Sequence, residues 1–206
     1  MRTKTIIIAT AIAGTAFIGG RILYNKYRIV IPAIDINQSE IGWSCKSLSD
    51  THEGKVKLSD AKLQFKNNKL IGGTFEADMK SITVTDIKDT ESNIDLVEHL
   101  SNDDFFASSK FPKATFKITS VKNLSEKNYE ITGIMQIKGK EKVITFPAEL
   151  QEENGIRRLN AKVNLDRTQF GIEYGAEGKP GSEKDWFIYK EILLNVNVVV
   201  PEEKKS

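Results

Sequence analysis

From Ser39 to Val200 the chain alternates apolar and polar residues with a period of two. In Gly54-Lys-Val-Lys-Leu-Ser, Val56 and Leu58 stand against lysines. Ile71, Gly73, Phe75, Ala77 and Met79 share one parity, as do Tyr129, Ile131, Gly133, Met135 and Ile137. The same holds for Ile144, Phe146, Ala148 and Leu150, for Leu159, Ala161, Val163 and Leu165, and for Ile192, Leu194, Val196, Val198 and Val200. Each run predicts a strand with one dry face and one wetter face. The connections Lys66-Asn-Asn-Lys, Ser125-Glu-Lys-Asn, Lys138-Gly-Lys and Glu153-Asn-Gly are short and turn-like, so the pairing is expected to be antiparallel.

The period changes once, between Ile82 and Ser109. Ile94, Val97 and Leu100 stand at helical spacing, with Ser92 or Asn93 as the expected cap. After this helix, Phe105, Phe106, Phe111 and Phe116 crowd a stretch too polar to be one buried helix, and Pro112 bars its continuation. About eight one-sided strands with a single helical insertion make an all-β chain. Such strands bury their dry faces as two packed sheets or as a closed barrel. The mid-chain excursion favours a barrel with a covered mouth. On the dry faces large residues neighbour small ones: Phe75 beside Gly73 and Ala77, Met135 beside Gly133, Phe146 beside Ala148. This leaves two readings open, room for one slim ligand or a tightly packed taper.

Charge changes the picture at the N-terminus. Five of the thirty basic residues (Arg2, Lys4, Arg21, Lys26 and Arg28) precede the first acidic one, Asp35, leaving 25 basic against 28 acidic residues in the body. A mildly acidic body of mixed charge has no footprint for nucleic acid. The uncharged run Thr5–Gly20 follows Met1-Arg-Thr-Lys, as the apolar region of a signal sequence follows its basic one. Arg21, Lys26 and Arg28 oppose translocation, so an uncleaved anchor is the other outcome. The expected plan is a signal peptide or anchoring hydrophobic helix over residues 1–28, a linker over 29–38, the barrel over 39–200 and a charged tail over 201–206. The expected location is exported, either periplasmic or membrane-anchored and facing outside the cytoplasm.

Several segments, in order, resemble the YceI family of polyisoprenoid-binding-like bacterial proteins. They are His52-Glu-Gly-Lys-Val56, Gly73-Thr-Phe-Glu-Ala-Asp-Met-Lys-Ser-Ile82, the stretch from Leu96 to Phe116, Gly133-Ile-Met-Gln-Ile-Lys-Gly139 with Phe146-Pro147, and the run from Asp166 to Gly175. The resemblance covers the whole body. It implies an eight-stranded antiparallel, lipocalin-like barrel whose apolar interior holds an isoprenoid or fatty acyl chain, with no catalytic centre.

Candidate chemistry is sparse. The lone Cys45 excludes an internal disulfide and reads as a small, semi-buried strand residue. Trp43 and Trp186, with Tyr174 and Phe187, read as core or rim aromatics. His52 and His99 lie in separate elements without a third ligand at zinc spacing, so no metal site is expected. Asp103 and Asp104 read as turn residues. Asp166-Arg167-Thr168 reads as a buried ion pair tying a loop to the sheet, with a phosphate or carboxylate headgroup contact as the alternative role of Arg167. The segment Gly171–Gly181 reads as a mobile loop over an opening, a solvent loop with a gate as the alternative.

Strand parity nominates Phe75, Ala77, Ile131, Met135, Phe146, Val163, Leu194 and Val196 as an apolar ligand site. Phe105, Phe106 and Phe111 are the expected lid or plug. The expected function is an exported binding protein holding an isoprenoid, quinone or fatty acyl chain, with no cofactor beyond such a lipid. Its partners are then the amphipathic ligand and, if the leader is uncleaved, the membrane; a homodimer is left open. The alternatives are a filled-core barrel docking a membrane partner, and a lipid-modifying enzyme using Arg167 and His52.

Overall fold

The computed structural model describes residues 28–179, 182 and 187–201. The leader therefore lies outside the described residues except for residue 28, and the charged tail except for Pro201. The strands are β1 (Ile29–Val30), β2 (Asp35–Ser47), β3 (Thr51–Lys66), β4 (Lys69–Val84), β5 (Lys113–Asn123), β6 (Asn128–Ile137), β7 (Lys140–Glu153), β8 (Ile156–Asp166) and β9 (Ile188–Val200). One helix, α1 (Thr90–Ser101), separates β4 from β5, and a 3-10 turn (Arg167–Phe170) follows β8.

From β2 to β9 each strand pairs antiparallel with the next, and β9 returns to β2, closing an eight-stranded barrel. Closure runs through Ile41↔Val196, Trp43↔Leu194 and Cys45↔Ile192. A closed meander leaves no open edge, so every strand of the ring finds a partner on both sides. The stretch 29–38, expected as a linker, carries β1, which pairs with Phe65 and Lys66, and the first residues of β2.

Turn chemistry decides the tight connections. Asn67 and Asn68 both take positive φ between β3 and β4; Lys138 with Gly139 and Asn154 with Gly155 do the same in the next such hairpins. These left-handed pairs match the twist of the flanking strands. The helix begins one turn earlier than its apolar spacing implies. Asp89, rather than Ser92 or Asn93, is the cap, its carboxylate accepting from the Ser92 amide. Asn93 instead donates its side-chain amide to the carbonyls of Val84 and Ile87, tying the helix start to the end of β4.

Parity holds along most strands but breaks in β4. Ile71, expected on the dry face with Phe75, is 38% exposed, while Leu70 is fully buried. A register shift between Gln64↔Gly72 and Phe65↔Leu70 inserts the extra residue that reverses the face.

The barrel has two unlike ends. Where β3 meets β4, Leu63, Phe65, Leu70, Tyr129 and Val198 pack with almost no exposure. At the other end α1, the phenylalanine segment and the chain after β8 fold over the strands, burying Leu100, Phe105, Phe170 and Ile172.

Candidate functional site

Between those two ends lies a cavity of about 150 Å³. All eight barrel strands contribute to its wall, through Trp43, Val56, Phe75, Phe116, Ile131, Phe146, Val163 and Leu194 among others. Among the described residues the surface is almost wholly hydrocarbon, aromatic carbon and sulfur; Thr115 is the one hydroxyl-bearing residue in the wall, and no charged side chain lines it. An apolar space of this size is one that stays dry and accepts a benzene-sized guest.

Phe75, Ala77, Ile131, Met135, Phe146, Val163, Leu194 and Val196, nominated by parity, all lie in this one wall. The fold also brings in residues that parity did not nominate. Ile41, Trp43 and Cys45 alternate along β2, a signal present in the sequence, and Leu100 reaches the cavity from α1. Phe116 sits between Phe75 and Phe146, with ring centroids 6.3 and 5.3 Å away, forming an aromatic band across the barrel.

The glycines do not create the space. A Cβ at Gly133 would strike the Phe116 ring and stand 2.5 Å from the Lys117 carbonyl oxygen. At Gly73 it would meet the Lys62 carbonyl oxygen at 2.6 Å and the Leu63 side chain at 3.1 Å. These small residues permit close approach of neighbours. The room comes instead from partly filled positions such as Ala77, Ala114 and Ala161.

The cover is built from the segment after α1. Phe105 and Phe106 line the cavity. Their turn is tied by its own backbone, with Phe106 N–H donating to the Leu100 carbonyl and Ala107 N–H to that of Asn102. Phe111 does not line the cavity; its ring packs beside Gly139 in the β6–β7 turn. His99 stands edge-on to both Phe105 and Tyr174, with centroids 4.9 and 4.8 Å away. Lys138 adds a polar strap, its ammonium donating to the carbonyls of Asp103 (2.7 Å) and Gly171 (3.3 Å). Burial pushes the Lys138 pKa down, against the opposing pull of Asp103 and Asp104.

Arg167 corrects two expectations. It is 1% exposed and absent from the cavity wall, so it offers no headgroup contact there. Its guanidinium donates to four backbone carbonyls: Tyr189 (3.0 Å), Ile172, Tyr174 and Ile188 (2.8 Å each). Nor does it form the expected ion pair with Asp166. That carboxylate accepts from the Thr168 amide and hydroxyl and faces Lys190 at 3.7 Å. Arg167 thus clasps residues 172–174 to the start of β9. The described part of the expected solvent loop, 171–179, is accordingly part of the cover, with Ile172 and Ala176 buried.

The remaining candidates are engaged elsewhere. Burial pushes the Cys45 thiol up, outweighing the nearby Arg167 charge, which leaves a protonated, weakly nucleophilic group. His52 contacts Asp86 at 2.8 Å, and the Asp86 carboxylate also accepts from the Glu53 amide. Trp186 lies outside the described residues.

A closed antiparallel barrel with a dry, covered interior defines a lipocalin-like binding fold. The chain belongs to the YceI-like domain family, whose model matches residues 33–200. Among relatives, a UPF0312 protein of Pseudomonas putida is 28% identical over 141 residues, covering 59% of this chain and 73% of that protein. A UPF0312 protein of Pseudomonas fluorescens is 34% identical over 82 residues, covering 37% of this chain and 43% of that protein. Of solved structures, BcnA of Burkholderia cenocepacia superimposes with a TM-score of 0.67 at 20% identity, covering 81% of this chain and 99% of that one. A polyisoprenoid binding domain from Saccharophagus degradans, implicated in plant cell wall breakdown, gives 0.58 at 12% identity, covering 84% and 98%.

Proposed function

We propose that this protein is an exported binding protein that carries or sequesters an isoprenoid, quinone or fatty acyl chain inside its barrel. The observation that carries the reading is the charge-free apolar cavity beneath the Phe105–Phe106 cover. Each CH₂-sized group moved there from water gains about 0.8 kcal/mol, so a hydrocarbon tail needs few polar contacts. The cavity takes a group of about six carbons as it stands. A longer chain is accommodated by displacing the phenylalanine cover, the part of the wall that belongs to no strand. Export rests on the basic start and apolar run of residues 1–20. The likeness to a polyisoprenoid binding domain supports the ligand class.

Binding fits better than catalysis, because neither Arg167 nor His52 lines the cavity and each is already engaged by protein groups. The filled-core alternative conflicts with the cavity itself. The test is native mass spectrometry of the protein purified from its own cells, followed by lipid extraction. Adducts of prenyl or acyl mass are expected. A protein that never retains lipid and takes up no prenyl probe overturns the proposal.

A further inference from the structure

The ladders around the barrel are unequal in length. β6 and β7 stay paired from Lys140 to Glu149 of β7, and β8 and β9 from Arg157 to Asp166 of β8. Between β7 and β8 the ladder runs only from Ala148↔Ala161 to Glu153↔Ile156. Residues 140–147 and 162–166 are therefore held by their outer neighbours, β6 and β9, and share no ladder with each other. Pro147 stands where the two strands part and has no N–H with which to extend the pairing.

This parting lies at the level of the cavity. Phe146 on one lip, and Ala161, Val163 and Leu165 on the other, all line it. β4 and β5 also part, beyond Thr74↔Lys117, but there Leu63, Leu70 and Tyr129 fill the barrel.

The ties near the seam are one-sided. The chain after β8 is fastened to β9 by the Arg167 guanidinium, which donates to the Tyr189 and Ile188 carbonyls, and by the Ile188 N–H, which donates to the Gly175 carbonyl at 2.8 Å. Between residues 138–147 and 162–175, the one side-chain hydrogen bond or ion pair among the described residues runs from the Lys138 ammonium to the Gly171 carbonyl, at 3.3 Å. Opening this seam gives up that long bond and apolar contacts, whereas β6–β7 or β8–β9 would have to give up a ladder. Both lips face the cavity with hydrocarbon, so a chain sliding between them stays out of water. Outside, beside the β7 lip, Val143 is 71% exposed and extends the apolar path.

We infer that the ligand's hydrocarbon chain passes into and out of the barrel sideways, between β7 and β8. The inference rests on the carrier reading and adds the route to it: displacing Phe105 and Phe106 supplies length, and the seam beside them supplies the way through.

The experiment follows uptake and release of all-trans-retinol, a prenyl-type probe, by stopped-flow fluorescence with the full chain in a Cys45→Ala background. Thr145 and Asn164 are exposed on the outer faces of the two lips. In Thr145→Cys/Asn164→Cys they are joined by dithiobis(maleimidoethane), a linker that reductant cleaves. The linked seam is expected to slow both rates by about tenfold or more and to leave the affinity within about twofold, with reduction restoring the rates. The same linker across Gln151→Cys/Arg158→Cys, in the paired part of the same strands, leaves the rates unchanged. Thr145→Cys/Lys162→Cys decides the matter where the first pair does not close. Unchanged rates with the seam linked, or equal slowing by the control link, overturn the inference while the carrier reading stands. Retinol that never binds overturns both.

Discussion

The ring of Phe116 lies over Gly133 on the neighbouring strand, occupying the place a side chain there would take. Both residues are buried, and the Lys117 carbonyl closes the same space from the backbone side. Gly133→Ala is therefore expected to destabilise the barrel by about 1–3 kcal/mol through overpacking. Urea denaturation measures it; an unchanged midpoint would mean that Phe116 moves aside freely.

Arg167 holds the cover through geometry as much as charge. Arg167→Lys keeps the charge, but an ammonium cannot reach four carbonyls at once. Leaving buried acceptors unpaired is expected to cost roughly 3 kcal/mol or more. Equal stability of variant and wild type would show that the clasp is dispensable.

Ala161 faces the cavity from β8. Ala161→Leu fills space that is empty now, so thermal stability should hold or rise while uptake of a prenyl or acetophenone probe is lost. Unimpaired probe binding would place the ligand outside this cavity.

Lys138 bridges the turn after α1 and the segment after the 3-10 turn. Lys138→Met removes both bonds, worth on the order of 1 kcal/mol together, and should speed probe release several-fold. Stopped-flow fluorescence reads the rate. Unaltered release with normal melting would rule out exchange through this cover.

Burial raises the Asp86 pKa, but hydrogen bonds from the Glu53 amide and His52 outweigh it and hold the carboxyl below its ordinary value. A depressed carboxylate contributes stability that is full above about pH 4 and is lost as pH falls through the folded-state pKa. Asp86→Asn should therefore melt lower than wild type at pH 7, and the gap should narrow by pH 3. A gap independent of pH would remove the carboxylate from the explanation.

The apolar wall was legible because a strand's side chains alternate strictly. Once Ile131, Val163 and Leu194 are on dry faces of one closed barrel, they must meet inside it. The same rule misplaced Ile71, since a bulge adds one residue without leaving a periodic mark. Trp43 and Cys45 were readable as an alternating pair in β2, yet nothing local says that their face joins the cavity.

Residue order alone determined the strand string, the single helical break, the family and the dry side of most strands, because these depend on neighbours along the chain. Tertiary structure decided the rest. It showed that Gly133 is filled by Phe116, that Arg167 turns to backbone carbonyls rather than to Asp166 or the cavity, and that the Trp43 indole N–H lacks a partner among the described residues. Those outcomes depend on which groups distant in sequence arrive within hydrogen-bonding or contact distance, and only closure of the barrel brings them there.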